Sequence, residues 1–106
     1  MKRTVGFALL MPLAAVSPAG AQDASPLVEE GQRAFMRNGC HGCHTVGRVG
    51  TPLAPDLSHI GARYRPEYLV RWLRDPRSVR PSAHMPMLEL TDADIRALAA
   101  YLAAQQ

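Results

Sequence analysis

Cys40-His41-Gly42-Cys43-His44 is the stretch on which the fold turns. Two cysteines separated by two residues and followed at once by histidine have the spacing of c-type haem attachment. The reason is geometric. Thiols one helical turn apart can each add to a haem vinyl group, and the adjacent histidine is then presented to iron from the same side. Gly42 keeps side-chain bulk away from the porphyrin, and His41 occupies a free position. Other chemistries also use cysteine pairs. A thioredoxin-like dithiol sits at the start of a helix after a strand, and no βαβ pattern surrounds this pair. A zinc site would need Cys40, Cys43 and two of the four histidines, but no second paired cluster appears. A disulfide across two residues would close only a small ring.

The 106 residues hold one domain, with 47% apolar and 20% charged side chains. Nine prolines and eight glycines promise long loops. A chain this small folds on a slim core or borrows stabilisation from a metal or cofactor, and a covalent macrocycle would supply the missing apolar surface.

The N-terminus reads as a signal peptide over residues 1–21. Lys2 and Arg3 precede the apolar run Val5–Val16, and Ala19-Gly20-Ala21 gives a small-x-small cleavage pattern before Gln22. The run is shorter than the roughly 20 residues needed to cross a hydrocarbon core, and Pro12 interrupts it. The expected mature chain is 22–106, periplasmic and without a membrane span. Lys2 and Arg3 leave with the leader, so the formal charge of +3 falls by two. All remaining basic residues are arginines. Six of them (Arg63, Arg65, Arg71, Arg74, Arg77, Arg80) lie close together, opposed there by Glu67 and Asp75. One such stretch on a secreted chain does not describe a nucleic-acid protein; it is a solvated helical face or a docking surface.

Three helices are expected. The first spans about Pro26 to Arg37, with Ser25 as N-cap, Pro26 at the first position, and Val28, Gly31 and Phe35 on one face. Asn38-Gly39 closes it. The second runs from about Pro66 to Arg74 and stops before Asp75-Pro76. The third runs from Asp92 to about Ala104, with Thr91 as N-cap, Asp94 in capping-box position and a stripe of Ile95, Leu98, Ala99 and Leu102. Thr45–Tyr64 and Pro76–Leu90 read as long irregular loops, and no alternating run is long enough for a strand.

Iron held by His44 needs a sixth ligand or an open face. The candidates are Met36, His59, His84, Met85 and Met87. Met36 reads as core on the first helix, and His59 as a solvated loop residue. His84, Met85 and Met87 share the irregular stretch before the capped third helix, where two close methionines have little packing reason to be. Pro86 stiffens that loop and restricts Met85 to extended conformations. In an extended stretch Met87 would share the side of Met85, and His84 would point away.

Taken in order, Gly31-x-x-x-Phe35, Cys40-x-x-Cys43-His44, Ala54-Pro55-Asp56-Leu57, Met85-Pro86 and Leu98-x-x-Tyr101-Leu102 resemble a small class I cytochrome c over the whole mature chain. The resemblance implies an all-α cytochrome c fold, with three main helices and long loops wrapped around one covalent haem c and its iron. It implies a crossing of the first and last helices at Gly31 against the Leu98/Tyr101 face, with Phe35 packed nearby. By the same resemblance the Pro55 carbonyl accepts a hydrogen bond from His44, Leu57 lies against the haem, Trp72 packs near the propionate edge, and Met85 is the sixth ligand. Ala54 stands where many relatives have glycine, which bears on the local turn.

The function implied is one-electron transfer between redox proteins in the periplasm, by a carrier that is not an enzyme. A dedicated cytochrome subunit of a periplasmic dehydrogenase or oxidase is the alternative. A gas sensor or peroxidase-like protein would require an open sixth position. Asp56, Glu89, Asp92 and Asp94 read as turn and capping residues rather than an acid/base set.

Overall fold

Ser25 opens the first helix as its sequence requires: its hydroxyl oxygen accepts from the Val28 N–H at 3.2 Å, and Pro26 fills the position that needs no N–H. In the computed structural model, which describes residues 2–14 and 25–106, this helix (α1) spans Pro26–Arg37. The expected cleavage site lies outside the described residues. Residues 2–14 carry no regular structure, and Phe7, Leu10 and Leu13 are exposed.

After α1 a single 3-10 turn covers Cys40–Gly42, followed by two two-residue strands, β1 (Thr45–Val46) and β2 (Val49–Gly50), paired antiparallel with Thr45 opposite Gly50. Four helices follow: α2 (Ile60–Arg63), α3 (Pro66–Arg74), α4 (Pro76–Val79) and α5 (Asp92–Ala103). The long helices match the sequence reading. The stretches read as irregular differ, since Thr45–Tyr64 contains the strand pair and α2, and Pro76–Leu90 contains α4. Pro76 both ends α3 and begins α4, where the Asp75 carboxylate accepts from the Arg77 N–H at 3.2 Å.

The core is the crossing of α1 and α5, with α3 laid across α5. Ala34, Phe35, Leu69, Leu73, Ile95, Leu98, Ala99, Tyr101 and Leu102 are buried together. Phe35 meets Tyr101 edge-to-face, centroids 5.7 Å apart. Gly31 makes the crossing possible: a Cβ there would collide with the Ala97 carbonyl and the Tyr101 side chain. Tyr101 thus faces Gly31 as the resemblance implies, while the second contact is the Ala97 carbonyl rather than Leu98, whose side chain is buried in the core.

Asp94 departs from its expected capping-box role. Thr91 Oγ1 accepts from the Asp94 N–H at 3.0 Å, but the Asp94 carboxylate turns to the Arg37 guanidinium at 2.8 Å and to Asn38 Nδ2 at 3.4 Å. A charge-assisted bond to Arg37 outcompetes a bond to a backbone N–H. It ties the end of α1 to the start of α5 beside the cysteine motif. No helix among the described residues is long and apolar enough to cross a membrane.

Candidate functional site

Gly39 sets the position of the cysteines. Its φ of 73° breaks α1, and the chain tightens so that the Cys40 carbonyl accepts from both the Cys43 N–H (3.2 Å) and the His44 N–H (3.0 Å). Cys40 and Cys43 are free thiols on one turn, Cys40 half-buried against the core and Cys43 exposed. Burial pushes the Cys40 thiol above its ordinary range.

His44 follows with its ring fixed. Its Nδ1 lies 2.7 Å from the Pro55 carbonyl oxygen, which can only accept, so Nδ1 carries the proton and Nε2 keeps a lone pair for a metal. The hydrogen bond implied by the resemblance is therefore present. The Leu53 and Ala54 N–H groups donate to the Cys43 carbonyl at 3.1 and 2.8 Å, and the Leu57 N–H donates to the Thr45 carbonyl at 2.8 Å. Among the described residues only glycines have positive φ, so Ala54 fits this turn where a glycine is common.

Asp56 locks the loop that carries Pro55. One carboxylate oxygen accepts from the Thr45 hydroxyl (3.0 Å), the Ser58 N–H (3.1 Å) and the Ser58 hydroxyl (2.7 Å), while Ser58 Oγ accepts from the Gly47 N–H at 2.7 Å. These bonds, led by the Ser58 hydroxyl, hold the Asp56 carboxyl below its ordinary range. A folded-state pKa below the unfolded value gives stability that is present above about pH 4 and lost as pH falls through the folded value. Asp56→Asn should therefore unfold at lower urea than the wild type at pH 7, with the gap closing below about pH 4. A gap independent of pH would refute this role.

In the loop before α5, Met85 is half-buried against the core, and the Trp72 indole N–H donates to its Sδ at 3.2 Å. The remaining candidates are differently placed. His84 is exposed, as expected. Met87 is 71% exposed and does not share the half-buried setting of Met85, so the loop departs from a simple extended strand. Met36 is corrected from core to surface: it is 44% exposed because the face of α1 toward α5 is filled by Gly31, Ala34 and Phe35. His59 Nδ1 lies 2.7 Å from the Gln106 main-chain oxygen. Leu57 is half-buried beside the core. The Trp72–Met85 bond was not legible in the sequence; the 13-residue separation it spans crosses α4 and a loop.

This donor set suits a covalently linked haem. Two thiols stand on one turn, an imidazole has one nitrogen committed to a carbonyl, and a thioether is held in a half-buried setting. Such an all-α fold, with a thiol pair and histidine at the end of its first helix, defines a haem-binding electron-transfer domain. The chain belongs to the cytochrome c family, whose model matches residues 28–106. It is similar to cytochrome c oxidase subunit 2 of Alkalihalophilus pseudofirmus, 35% identical over 85 residues that cover 72% of this chain and 25% of that protein. It is also similar to a nitric oxide reductase subunit of Paracoccus denitrificans, 32% identical over 87 residues, 74% of this chain and 58% of that one. The chain thus spans less than two thirds of either relative. As a cytochrome c domain it carries covalent haem c with its iron and transfers electrons through it, and the Cys40/Cys43/His44 motif fits that attachment.

Proposed function

We propose that the mature chain, 22–106, is a periplasmic one-electron carrier whose haem iron is held between His44 and Met85. The carrying observation is the Trp72–Met85 bond at 3.2 Å, which holds a soft thioether in place in the loop before α5. The bound haem supplies a one-electron ferrous/ferric couple. Cys40 and Cys43 would anchor it through thioether links, and Leu57 would pack against it. The Pro55 carbonyl keeps His44 in one tautomer and strengthens its donation. The Trp72 N–H draws density from the Met85 sulfur, which together with the thioether itself favours the ferrous state. With His44 and Met85 both holding the iron, substrate chemistry there would be disfavoured.

The partners are redox proteins. Arg71 and Arg74 line a surface groove with Ser78 and Val79, and Arg65, Arg77 and Arg80 are exposed nearby. Of the six arginines in this stretch, Arg74 has a carboxylate partner among the described residues, Asp92 at 3.4 Å. This surface fits an acidic partner. The rate of electron transfer to an acidic redox protein should fall as salt rises and the Debye length shrinks below about 8 Å. A rate independent of ionic strength would refute the docking surface, and a haem that does not cycle reversibly by one electron would refute the carrier. The names of the similar proteins favour a second reading, a cytochrome subunit of a larger oxidase or reductase. Stoichiometric co-purification with a larger subunit, insensitive to salt, would select it.

A further inference from the structure

The chain from His44 to Pro55 doubles back on itself, and Gly50 stands where it pinches. Three bonds draw the two sides together. The Thr51 N–H donates to the His44 carbonyl at 3.3 Å, and the Leu53 and Ala54 N–H groups donate to the Cys43 carbonyl at 3.1 and 2.8 Å. At the near end of this loop the His44 Nδ1–H meets the Pro55 carbonyl at 2.7 Å. At the far end is the hairpin of β1 and β2, where Gly47 and Arg48 form a two-residue turn between Val46 and Val49. Gly50 pairs with Thr45 and so lies directly beside the His44 backbone.

Gly50 meets two demands at once. Its φ of 114° strains any side chain, and a Cβ there would run into the main-chain carbonyl of His44. Gly47, with a φ of 59°, meets the first demand but not the second, since a Cβ at that turn finds nothing within 4 Å. The contact at Gly50 is against backbone, so no rotamer change relieves it. Nor is the hairpin free to slide away. Its tip is tied to the Pro55 loop by the Gly47 N–H on Ser58 Oγ at 2.7 Å. Its first strand is tied there by the Thr45 hydroxyl on Asp56 at 3.0 Å and by the Leu57 N–H on the Thr45 carbonyl at 2.8 Å. Crowding at Gly50 must therefore push the His44 backbone or lift β2, and lifting β2 drags the short Thr51–Ala54 segment that leads into Pro55. Either movement changes the separation of His44 Nδ1 from the Pro55 oxygen.

We propose that the β1–β2 hairpin is a brace that sets the strength of the His44–Pro55 hydrogen bond, with Gly50 as its positioning residue. A short bond from Nδ1–H to the carbonyl makes the imidazole a stronger donor through Nε2. A stronger nitrogen donor favours ferric over ferrous iron, so the brace holds the reduction potential down from the His44 side. This consequence rests on the preceding reading, in which His44 holds the iron; the brace itself is a property of the chain.

The test compares the holoproteins of wild type, Gly50→Ala and Gly47→Ala. Both variants should unfold at lower guanidinium than wild type, because each strains a positive φ. Only Gly50→Ala should exchange its His44 Nδ1 proton several-fold faster by nuclear magnetic resonance and shift the reduction potential upward. Should Gly50→Ala yield no holoprotein, Ser58→Ala releases the hairpin tip without a collision and should move both readings the same way by less. Wild-type exchange in whichever of these two is obtained, or an equal change in Gly47→Ala, overturns the brace. His44 ring protons without paramagnetic shifts in the oxidised wild type would sink the ligation reading alone, because the exchange comparison still decides the brace.

Discussion

Gly31→Ala should destabilise the holoprotein although alanine is the better helix former. In the interior of α1 that exchange alone would favour folding by about 1 kcal/mol. Against it stands a collision of the new Cβ with the Ala97 carbonyl and the Tyr101 side chain. Backbone atoms of α5 cannot rotate away as a side-chain tip can, so the two helices must separate. Separation loosens Phe35 against Tyr101 and opens the packing around the fully buried Leu98, where each large side chain contributes roughly 1.5–3 kcal/mol by burial. Overpacking of this kind costs about 1–3 kcal/mol, a large share of the roughly 5–15 kcal/mol that holds a domain together. Gly31→Val should be worse. The guanidinium midpoint of the haem-loaded protein measures both, and a midpoint for Gly31→Ala equal to or above that of wild type would contradict the close crossing. Since Arg37 and Asp94 join the same helices beside the cysteine turn, the haem spectrum should loosen with the fold.

Helices with caps and a full apolar stripe were legible from sequence alone. Ser25 and Thr91 cap α1 and α5, and Asp75-Pro76 ends α3, all through bonds within four residues of the chain. The parts that escaped reading depend on distant partners. Helix α2 is one turn long and shows no periodicity; it is pinned by the Gly61 N–H donating to the distant Gln105 carbonyl at 2.7 Å, near the C-terminus. The strand pair has two residues a side and is held by the turn at Gly47 and by Ser58 rather than by alternation. Met36 is apolar on an amphipathic helix and yet lies outside the core, because Gly31, Ala34 and Phe35 already fill the face toward α5.

The site divides in the same way. The haem attachment is visible in sequence because its chemistry demands fixed local spacing, and the Pro55 role came with the family pattern. The bonds from Asp56 to Thr45 and Ser58, which hold Pro55 against His44, required the folded chain. So did the stacking of Tyr64 on Tyr68, centroids 4.3 Å apart, because Tyr64 stands in the linker before α3 rather than on that helix.

Met85→Ala should change the iron more than any other substitution in the loop before α5. Three independent facts converge on Met85: Pro86 restrains its backbone, the Trp72 N–H holds its sulfur at 3.2 Å, and it is half-buried where Met87 is 71% exposed. On the proposed ligation, removing the thioether takes the soft donor from ferric iron. The weak thioether-to-iron charge-transfer band of the oxidised protein should disappear, the reduction potential should fall, and the reduced protein should bind carbon monoxide at neutral pH where the wild type does not. Met87→Ala should retain the band and the potential, because an exposed methionine makes no bond that fixes its sulfur. His84→Ala should also leave both unchanged. The Trp72→Phe variant separates ligation from tuning, since it keeps Met85 and its packing but removes the hydrogen bond. The band should persist, while the potential falls by less than in Met85→Ala. Loss of the band on Met87→Ala but not on Met85→Ala would move the ligand two residues along the loop. A spectrum perturbed only by His84→Ala would replace the thioether by an imidazole, and with it the relatively high potential that the proposed His/Met ligation implies.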